Sequence, residues 1–194
     1  MQLTSASSLM AAVVAGLVAT SAFAMTPAEH KTAKDGIEAA YKTDKERCDA
    51  LTANAKDVCQ KEAKGKEKVA KAELEAQYKP SPRNTQKVAE ARADAAYDVA
   101  KEKCDDLKGN EKDVCEKDAK AAQVKAKADA KVAVMQTRAD NPGAKAGDVA
   151  EARKEANADK NDANYKAAKE RCDAMSGDAK SACVADVKRV YGKS

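Results

Sequence analysis

Small apolar residues recur at helical spacing along most of this chain, and charged residues fill the positions between them. Upstream of Cys104, steps of three or four residues give Ala100, Tyr97 and Ala93. Downstream of Cys115, similar steps give a row of alanines: Ala119, Ala122, Ala126, Ala130 and Ala133. Residues at this spacing share one face of an α-helix, and small side chains let two antiparallel helices approach closely. The pattern predicts an all-α fold with thin, Ala-rich seams between helices.

The same pattern occurs three times in one register. Residues 41–64, 97–120 and 165–188 each begin with Tyr, place a Cys seven residues later and a second Cys eleven residues after the first. Asp follows the first Cys in every copy, and Leu or Met stands three residues after it. Several residue types at fixed offsets, without gaps, indicate a repeat protein.

Each unit is predicted to be a hairpin of two helices and not one long helix. On a continuous helix, cysteines eleven residues apart would lie about 16 Å apart, too far for a disulfide, which needs Cα atoms within about 7 Å. Turn signals stand between the cysteines: Asn54, Gly109-Asn110 and Ser176-Gly177-Asp178. Gly suits the position after a helix, and Asn or Asp suits the N-cap of the next. A tight turn there predicts three disulfides: Cys48–Cys59, Cys104–Cys115 and Cys172–Cys183.

One tyrosine per unit is predicted to pack in the seam of its hairpin. Tyr97 is expected to meet Ala on the partner helix of the second unit. The predicted seam has Tyr41 and Ile37 against Ala63, Ala70 and Leu74 in the first unit, and Tyr165 and Ala168 against Val187 and Val190 in the third. Because valines replace alanines there, the third unit is expected to depend least on its disulfide. An exposed tyrosine platform for a ligand is the alternative.

Pro and Gly mark the boundaries between units. Thr26-Pro27-Ala28-Glu29 is a capping box with Pro at the first helical position. Pro80-Ser81-Pro82 and Asn141-Pro142-Gly143 interrupt the helical pattern. The predicted hairpins are 25–78, 85–140 and 148–194, with linkers 79–84 and 141–147. The predicted helices are 27–51, 55–78, 85–107, 111–139, 148–175 and 179–192.

An insertion of one heptad separates the second and third units. The sequence VAEAR occurs at 88–92 and again at 149–153, nine residues before the unit Tyr in one copy and sixteen before it in the other. Seven extra residues keep a helix face in phase. The insertion therefore indicates helix on both of its sides.

The N-terminal residues are typical of a secretory signal peptide. Residues 2–24 carry no charged side chain, an apolar stretch runs from Leu9 to Ala19, and Ala22-Phe23-Ala24 fits a cleavage site. The stretch is shorter than the roughly 20 apolar residues of a spanning helix. We expect cleavage after Ala24 and a periplasmic or secreted protein without stable membrane insertion; an uncleaved anchor is the alternative.

Composition limits the size of any core. The chain has no Trp, its one Phe lies in the expected signal peptide, and 35% of its residues are charged. So little large apolar material would favour disorder, but Ala, Lys and Glu favour helix and six cysteines can cross-link the chain in an oxidising compartment. The net charge of +4 comes from interleaved charges and not from a basic stripe, so no nucleic-acid partner is expected.

No residue pattern indicates catalysis, a cofactor or a metal site. Each hairpin offers two cysteines and no His, whereas structural zinc needs four such ligands, and no Cys-x-x-Cys motif indicates redox chemistry. His30, the only histidine, is expected to be exposed and inert beside Lys31. The many carboxylates alternate with Lys and Arg, as on a solvated helix face. The chain is therefore predicted not to be an enzyme.

The three Cys-x10-Cys units, the Ala/Lys-rich helices and the signal peptide together resemble a group of small exported proteins of Gram-negative bacteria. Members are sometimes labelled TolA-like or cell-envelope proteins. The helical spacer of TolA is similar in Ala, Lys and Glu content but lacks such cysteine pairs. The resemblance implies a helical protein of the cell envelope.

These features favour a periplasmic structural or interaction protein with no enzymatic role, such as an envelope scaffold or a stress-protective helical protein. Its expected partner is an envelope protein or a cell-wall component, which the sequence does not identify. The alternative is a binding module for metal ions or for an anionic envelope component, using carboxylate and lysine faces.

Overall fold

The computed structural model describes residues 25–139 and 146–194, and these ranges contain six α-helices and no strand. The signal-peptide prediction for residues 1–24 and the break at Asn141-Pro142-Gly143 lie outside the described residues. The all-α prediction of three stapled hairpins is confirmed. The helices are α1 Pro27–Cys48, α2 Ala53–Tyr78, α3 Pro82–Cys104, α4 Gly109–Ala139, α5 Ala146–Cys172 and α6 Gly177–Tyr191.

The helices form a linear array. Each packs against the helix before it and the helix after it, and helices that are not neighbours in the chain make no contact within the described ranges. Disulfides join α1 to α2, α3 to α4 and α5 to α6, all at the same end of the helices. The chain turns between α2 and α3 at the opposite end. Such an arrangement resembles a solenoid, in which each unit contacts only its neighbours.

Side-chain caps fix the first turns of α1 and α3. The capping box is present: Glu29 N–H donates to Thr26 Oγ1 at 3.2 Å, and Thr26 N–H donates to Glu29 Oε2 at 2.7 Å. Ser81 Oγ accepts the N–H of Asn84 at 3.1 Å, and α3 starts at Pro82, three residues earlier than predicted. The reason is that Pro is well suited to the first helical position.

The first helix of each hairpin ends at its cysteine, three residues earlier than predicted. Three residues after each of these cysteines stands an apolar residue whose N–H donates to the cysteine carbonyl at 3.0 Å. These residues are Leu51, Leu107 and Met175. These bonds span three residues where a helix spans four, so the helix tightens and stops.

The second helix then begins at a residue with left-handed backbone. This residue is Gly109 or Gly177 with φ of 56°, and Ala53 with φ of 50° in the first hairpin. The prediction that Asn54, Asn110 and Asp178 cap these helices is wrong, because they lie inside the first turn.

The core is thin and consists mainly of small side chains. Leu74 and Val134 are its large aliphatic members, together with fully buried Cys48, Cys104 and Cys172. The remaining buried residues are Ala63, Ala93, Ala121, Ala128, Ala152, Ala156, Ala163 and Ala167, plus Gly65 and Gln123.

The predicted alanine row on α4 is partly wrong. Ala122, Ala126 and Ala133 are exposed. The helix packs against both α3 and α5, so burial is shared between two faces and falls on other residues of α4, such as Ala128. A seam predicted for one neighbouring helix does not identify the residues that face the other neighbour.

On α5, the buried alanines confirm continuous helix across the heptad insertion. Ala152 and Ala156 lie one turn apart, Ala163 follows Ala156 by seven residues, and Ala167 lies one turn after Ala163. A seven-residue interval returns to the same helix face. The inserted heptad therefore lengthens the helix without rotating its buried stripe.

Helices α2 and α3 approach each other closely at Gly65. A Cβ atom placed on Gly65 would lie 2.8 Å from the Cβ of Ala95 and 3.4 Å from its Cα. Because the added Cβ would meet atoms at or next to the backbone of α3, the clash can be relieved only if the two helices move apart. Gly65 is therefore required by helix spacing, although Gly weakens a helix interior.

The substitution Gly65→Ala is expected to destabilise the protein by about 1 kcal/mol or more, because overpacking costs about 1–3 kcal/mol and exceeds the gain in helix propensity. Gly36→Ala is the matched control, since no atom lies within 4 Å of its added Cβ. That variant should be stabilised by up to about 1 kcal/mol. Thermal unfolding followed by circular dichroism compares the two; equal stabilisation by both would contradict the close approach.

The third hairpin has the weakest packing, contrary to the expectation from its valines. No residue of α6 is buried, and Val190 is 67% exposed. The helix has 15 residues and contacts only α5 within the described ranges. Val190 therefore does not extend the seam, since α5, the one helix that packs against α6 in the described ranges, leaves it exposed.

We therefore expect α6 to rely on its disulfide more than any other helix does. In Cys172→Ser/Cys183→Ser, loss of a cross-link worth about 3 kcal/mol should abolish amide protection in α6. In Cys104→Ser/Cys115→Ser, α3 and α4 each keep a second helical neighbour and should retain more protection. Hydrogen exchange measures both variants, and greater loss in the second variant would refute this ranking.

Candidate functional site

The three disulfide-linked turns are the most clearly repeated chemical feature of the chain. All three predicted pairings are present, with Cα–Cα distances of 5.5, 5.7 and 5.7 Å, and no cysteine is free. The first cysteine of each pair is fully buried and the second is partly buried. Buried, fully paired sulfur positions the turns and offers no thiolate for catalysis or metal binding.

An ion pair bridges each disulfide turn. The Asp after the first cysteine pairs with a Lys three residues before the second: Asp49–Lys56 at 3.0 Å, Asp105–Lys112 at 2.7 Å and Asp173–Lys180 at 2.9 Å. Hydrogen bonds from Lys112 and Lys180 lower the pKa of Asp105 and Asp173. The repeated Asp was visible in the sequence, but its Lys partner was not recognised.

Acid should weaken these turns. Because the pKa of Asp105 is lowered in the folded protein from an ordinary value of 3.8, its contribution is complete above that value and is lost as pH falls through the folded pKa. Asp105→Asn should therefore lose less melting temperature than the wild type between pH 5 and pH 2. Asp106→Asn, beside it and without an ion-pair partner among residues 25–139 and 146–194, should keep the wild-type pH dependence. Equal acid sensitivity of all three proteins would contradict the assignment.

Two asparagines join successive hairpins. Asn54 Nδ2 donates to the carbonyl oxygen of Glu102 at 3.0 Å, and Asn110 Nδ2 donates to that of Glu170 at 2.9 Å. The acceptors lie at the C-terminal ends of α3 and α5, where each carbonyl also accepts the N–H of the residue three positions on, Asp105 or Asp173, in place of a regular helical bond. Each asparagine that the sequence assigned to its own helix cap therefore caps the helix of the next hairpin.

The same register repeats two ion pairs between hairpins. Near the disulfides, Glu62–Lys103 at 3.6 Å corresponds to Asp118–Arg171 at 2.5 Å. Further along, Glu73–Arg92 at 2.6 Å corresponds to Asp129–Lys160 at 3.0 Å.

Small residues meet between these ion pairs. Gly65 faces Ala95 between the first two hairpins, and the equivalent residues Ala121 and Ala163 share a buried cluster between the second and third. We call this set of contacts, the asparagine bond included, the inter-hairpin interface. It occurs twice, between α2 and α3 and between α4 and α5. Only a comparison of residues in adjacent units could have revealed it from sequence, because every contact joins positions more than 18 residues apart.

Replacing Asn110 by Asp should weaken the second interface. The carboxylate cannot donate to the Glu170 carbonyl, so the cost should be about 1 kcal/mol. Asp178→Asn is the control: it makes the reverse exchange at the equivalent position of α6, which packs only against α5 within the described ranges, and should change stability by less than about 0.5 kcal/mol. Thermal unfolding of both variants provides the measurement, and equal effects would exclude the inter-hairpin role of Asn110.

The unit tyrosines are all partly buried. Lys120 Nζ of α4 lies 5.2 Å from the ring centre of Tyr97 in α3. Tyr165 meets Tyr191 of α6 edge to face at 6.2 Å between ring centres. Tyr41 lies on α1 without a corresponding ring or cation contact in the described chain.

His30 is not the exposed, inert residue that the sequence indicated. Its side chain is 18% exposed, its Nε2 lies 2.9 Å from Glu75 Oε1, and its ring stacks on Tyr78 at 4.3 Å between centres. The histidine thereby joins the start of α1 to the end of α2, opposite the Cys48 disulfide. Its 45-residue separation from Glu75 hid this role from the sequence.

Several grooves lie between the described helices, and two of them are candidate binding surfaces. The lysine groove, about 470 Å³, crosses α3, α4 and α5. Its charged residues include Lys117, Lys120, Lys127, Lys131 and Lys166 together with Glu90, Asp159 and Asp162. Three of the lysines are neutralised by ion pairs, namely Lys127 with Asp94, Lys131 with Glu155 and Lys166 with Asp162.

The second groove, about 670 Å³, runs between α2 and α3 and is mainly apolar. Val69 and Val99 contribute its larger apolar side chains. Charged residues such as Lys66 and Arg92 also line it.

Within residues 25–139 and 146–194, no group of three His, Cys, Asp or Glu side chains is arranged to hold a metal ion. None of the described helices is long and apolar enough to cross a membrane. Comparisons of the chain with protein-family models, curated proteins and solved structures gave no match.

Proposed function

We propose that this chain is a non-enzymatic structural or interaction protein of the periplasm, a stapled helical scaffold in the cell envelope. The observation that carries the proposal is the linear array. Because each helix packs only on its chain neighbours, a chain with little apolar material presents long lateral faces and two inter-helix grooves. Extended surfaces of this kind are what solenoid proteins use for binding.

The disulfides support the compartment part of the proposal. All six cysteines are paired, and each disulfide closes one hairpin. Persistent disulfides belong to oxidising compartments. Together with the signal-like residues 1–24, they favour export over a cytoplasmic location.

Export is tested by fractionating a Gram-negative host that expresses the full chain and blocking free thiols during lysis. The expected result is a periplasmic protein shortened by about 24 residues, with no thiol labelled before reduction. A control with the signal-like residues deleted should remain in the cytoplasm with labelled thiols. A full-length, thiol-labelled protein in the cytoplasm would contradict the compartment.

The scaffold role is tested by deleting the gene and challenging the envelope with heat, osmotic shock and reductant. The deletion strain should be more sensitive than its parent. The wild-type gene should restore normal resistance, whereas a variant in which all six cysteines are Ser should not. A site-specific photo-crosslinker at Val69 should capture an envelope component, whereas one at exposed Lys34 should not. Normal resistance of the deletion strain together with no crosslinked product would contradict the proposal.

The lysine groove favours a second candidate, an anion-binding module for an envelope component. Five lysines against three carboxylates line this groove, and the described chain shows no ion pair for Lys117. An anion must compete with the carboxylates that already hold three of these lysines, so binding should be weak and sensitive to salt.

Inorganic polyphosphate is a suitable probe for this candidate. Lys117→Gln/Lys166→Gln should weaken its binding and reduce the salt dependence. The matched control Lys34→Gln/Lys154→Gln changes the net charge equally but leaves the groove intact. Identical binding by the two variants, measured by calorimetry at several salt concentrations, would exclude the groove as the site.

A further inference from the structure

The residues of the inter-hairpin interface can be followed to α1 and α6, each of which packs against a single helix within the described ranges. Positions are compared by their distance from the cysteines. Helices α2 and α4 supply Asn five residues before the second cysteine, an acid three after it and a small residue six after it. Helices α3 and α5 supply a carbonyl two residues before the first cysteine, a base one before it and Ala nine before it.

Helix α1 keeps the receiving half of this interface. Its equivalent residues are Glu46 for the carbonyl, Arg47 for the base and Ala39 for the small residue. The Glu46 carbonyl accepts the N–H of Asp49 at 3.2 Å, as the Glu102 carbonyl accepts that of Asp105, but no residue of the described chain takes the place of Asn54. Ala39 and Arg47 are exposed, and Arg47 Nη1 lies 3.1 Å from Asp44 Oδ1 of α1, a pair that an incoming acid would have to displace.

Helix α6 does not keep the donating half. Its acid is present as Asp186, but Asp178 replaces Asn and Arg189 replaces the small residue. A carboxylate cannot donate to a carbonyl, and the Arg side chain fills the position where Gly65 or Ala121 lets two helices approach. Arg189 also pairs with Asp186 at 3.1 Å, so the acid is engaged within α6.

We propose that the exposed face of α1 is a vacant receiving surface for the hairpin type of this chain, and that Asp178 and Arg189 on α6 prevent a second copy from occupying it. Helix α6 thereby acts as a cap against the docking of a further hairpin of this type. Terminal repeats with a polar outer face are the usual means by which solenoids avoid end-to-end association. The proposal depends neither on the compartment of the protein nor on which envelope component the scaffold binds.

Both end faces have also lost the distal ion pair of the interface. Gly36 of α1 stands where α3 has Arg92 and α5 has Lys160, and α6 ends at Tyr191, short of the position equivalent to Glu73. Head-to-tail contact after removal of the cap would therefore rest on the asparagine bond, the Asp186–Arg47 pair and the close approach at Ala39. Association is expected to be weak and must be measured over a wide concentration range.

The test is the oxidised protein with Asp178→Asn and Arg189→Ala, studied by sedimentation velocity at concentrations up to about 1 mM, where weak association is detectable. The variant should form head-to-tail oligomers with an association constant at least tenfold above that of the wild type. The control Asp159→Asn/Arg153→Ala removes the same charges from α5 away from both end faces, and should behave as the wild type does.

A third substitution identifies the surface. Adding Ala39→Arg to the double variant should restore the monomer, because Arg then fills the receiving position on α1 while circular dichroism shows an unchanged fold. A double variant that associates no more than its control would overturn the proposal. Oligomers of the wild type that Ala39→Arg dissolves would overturn it as well, since the cap would then not block the contact.

Discussion

Close approach between helices that carry few large apolar side chains is the constraint on which the structure depends. Alanine and glycine bury little area, at roughly 25 cal/mol per Å², so a seam of small residues contributes only if the two backbones are held near each other. A buried cysteine at the end of each first helix fixes that separation at 5.5–5.7 Å between Cα atoms. From the disulfide onward, the register of the two helices is set.

The hairpins need a second device, because disulfides join helices within a unit and not between units. The inter-hairpin interface supplies it with an asparagine that completes the helix end of the next unit and with two ion pairs on either side of a close contact. Exposed ion pairs contribute little stability individually. Their repetition in one register instead specifies which helix faces meet, in a chain whose apolar residues are too uniform to do so. His30 has a comparable role at the open end of the first hairpin.

Sequence reasoning recovers what short-range spacing encodes. The six helices, the three turns and the cysteine pairing all follow from residues within about a dozen positions of each other. Such reasoning fails where one helix packs against two neighbouring helices. Ala122 shares the seam spacing but is exposed, because α4 divides its buried surface between α3 and α5. Asn54 has the chemistry of a helix cap, and nothing within its own unit reveals that the helix it caps belongs to the next one.

The same limit applies to the candidate site. The repeated Asp after each first cysteine could be seen as a pattern, but its ion pair with Lys requires the turn geometry. The pairing of His30 with Glu75 spans 45 residues and depends on the lengths of α1 and α2. The lysine groove combines residues from three helices and has no signature in any one of them.

The disulfides, and not an apolar core, are expected to hold these helices together. Thermal unfolding of the oxidised and the fully reduced protein, followed by circular dichroism at 222 nm, tests this expectation most directly. Each cross-link is worth about 3 kcal/mol in the chain-entropy description, so reduction should lower the melting temperature sharply and leave a broad transition of partly formed helix. A reduced protein that melts cooperatively within a few degrees of the oxidised one would contradict the account.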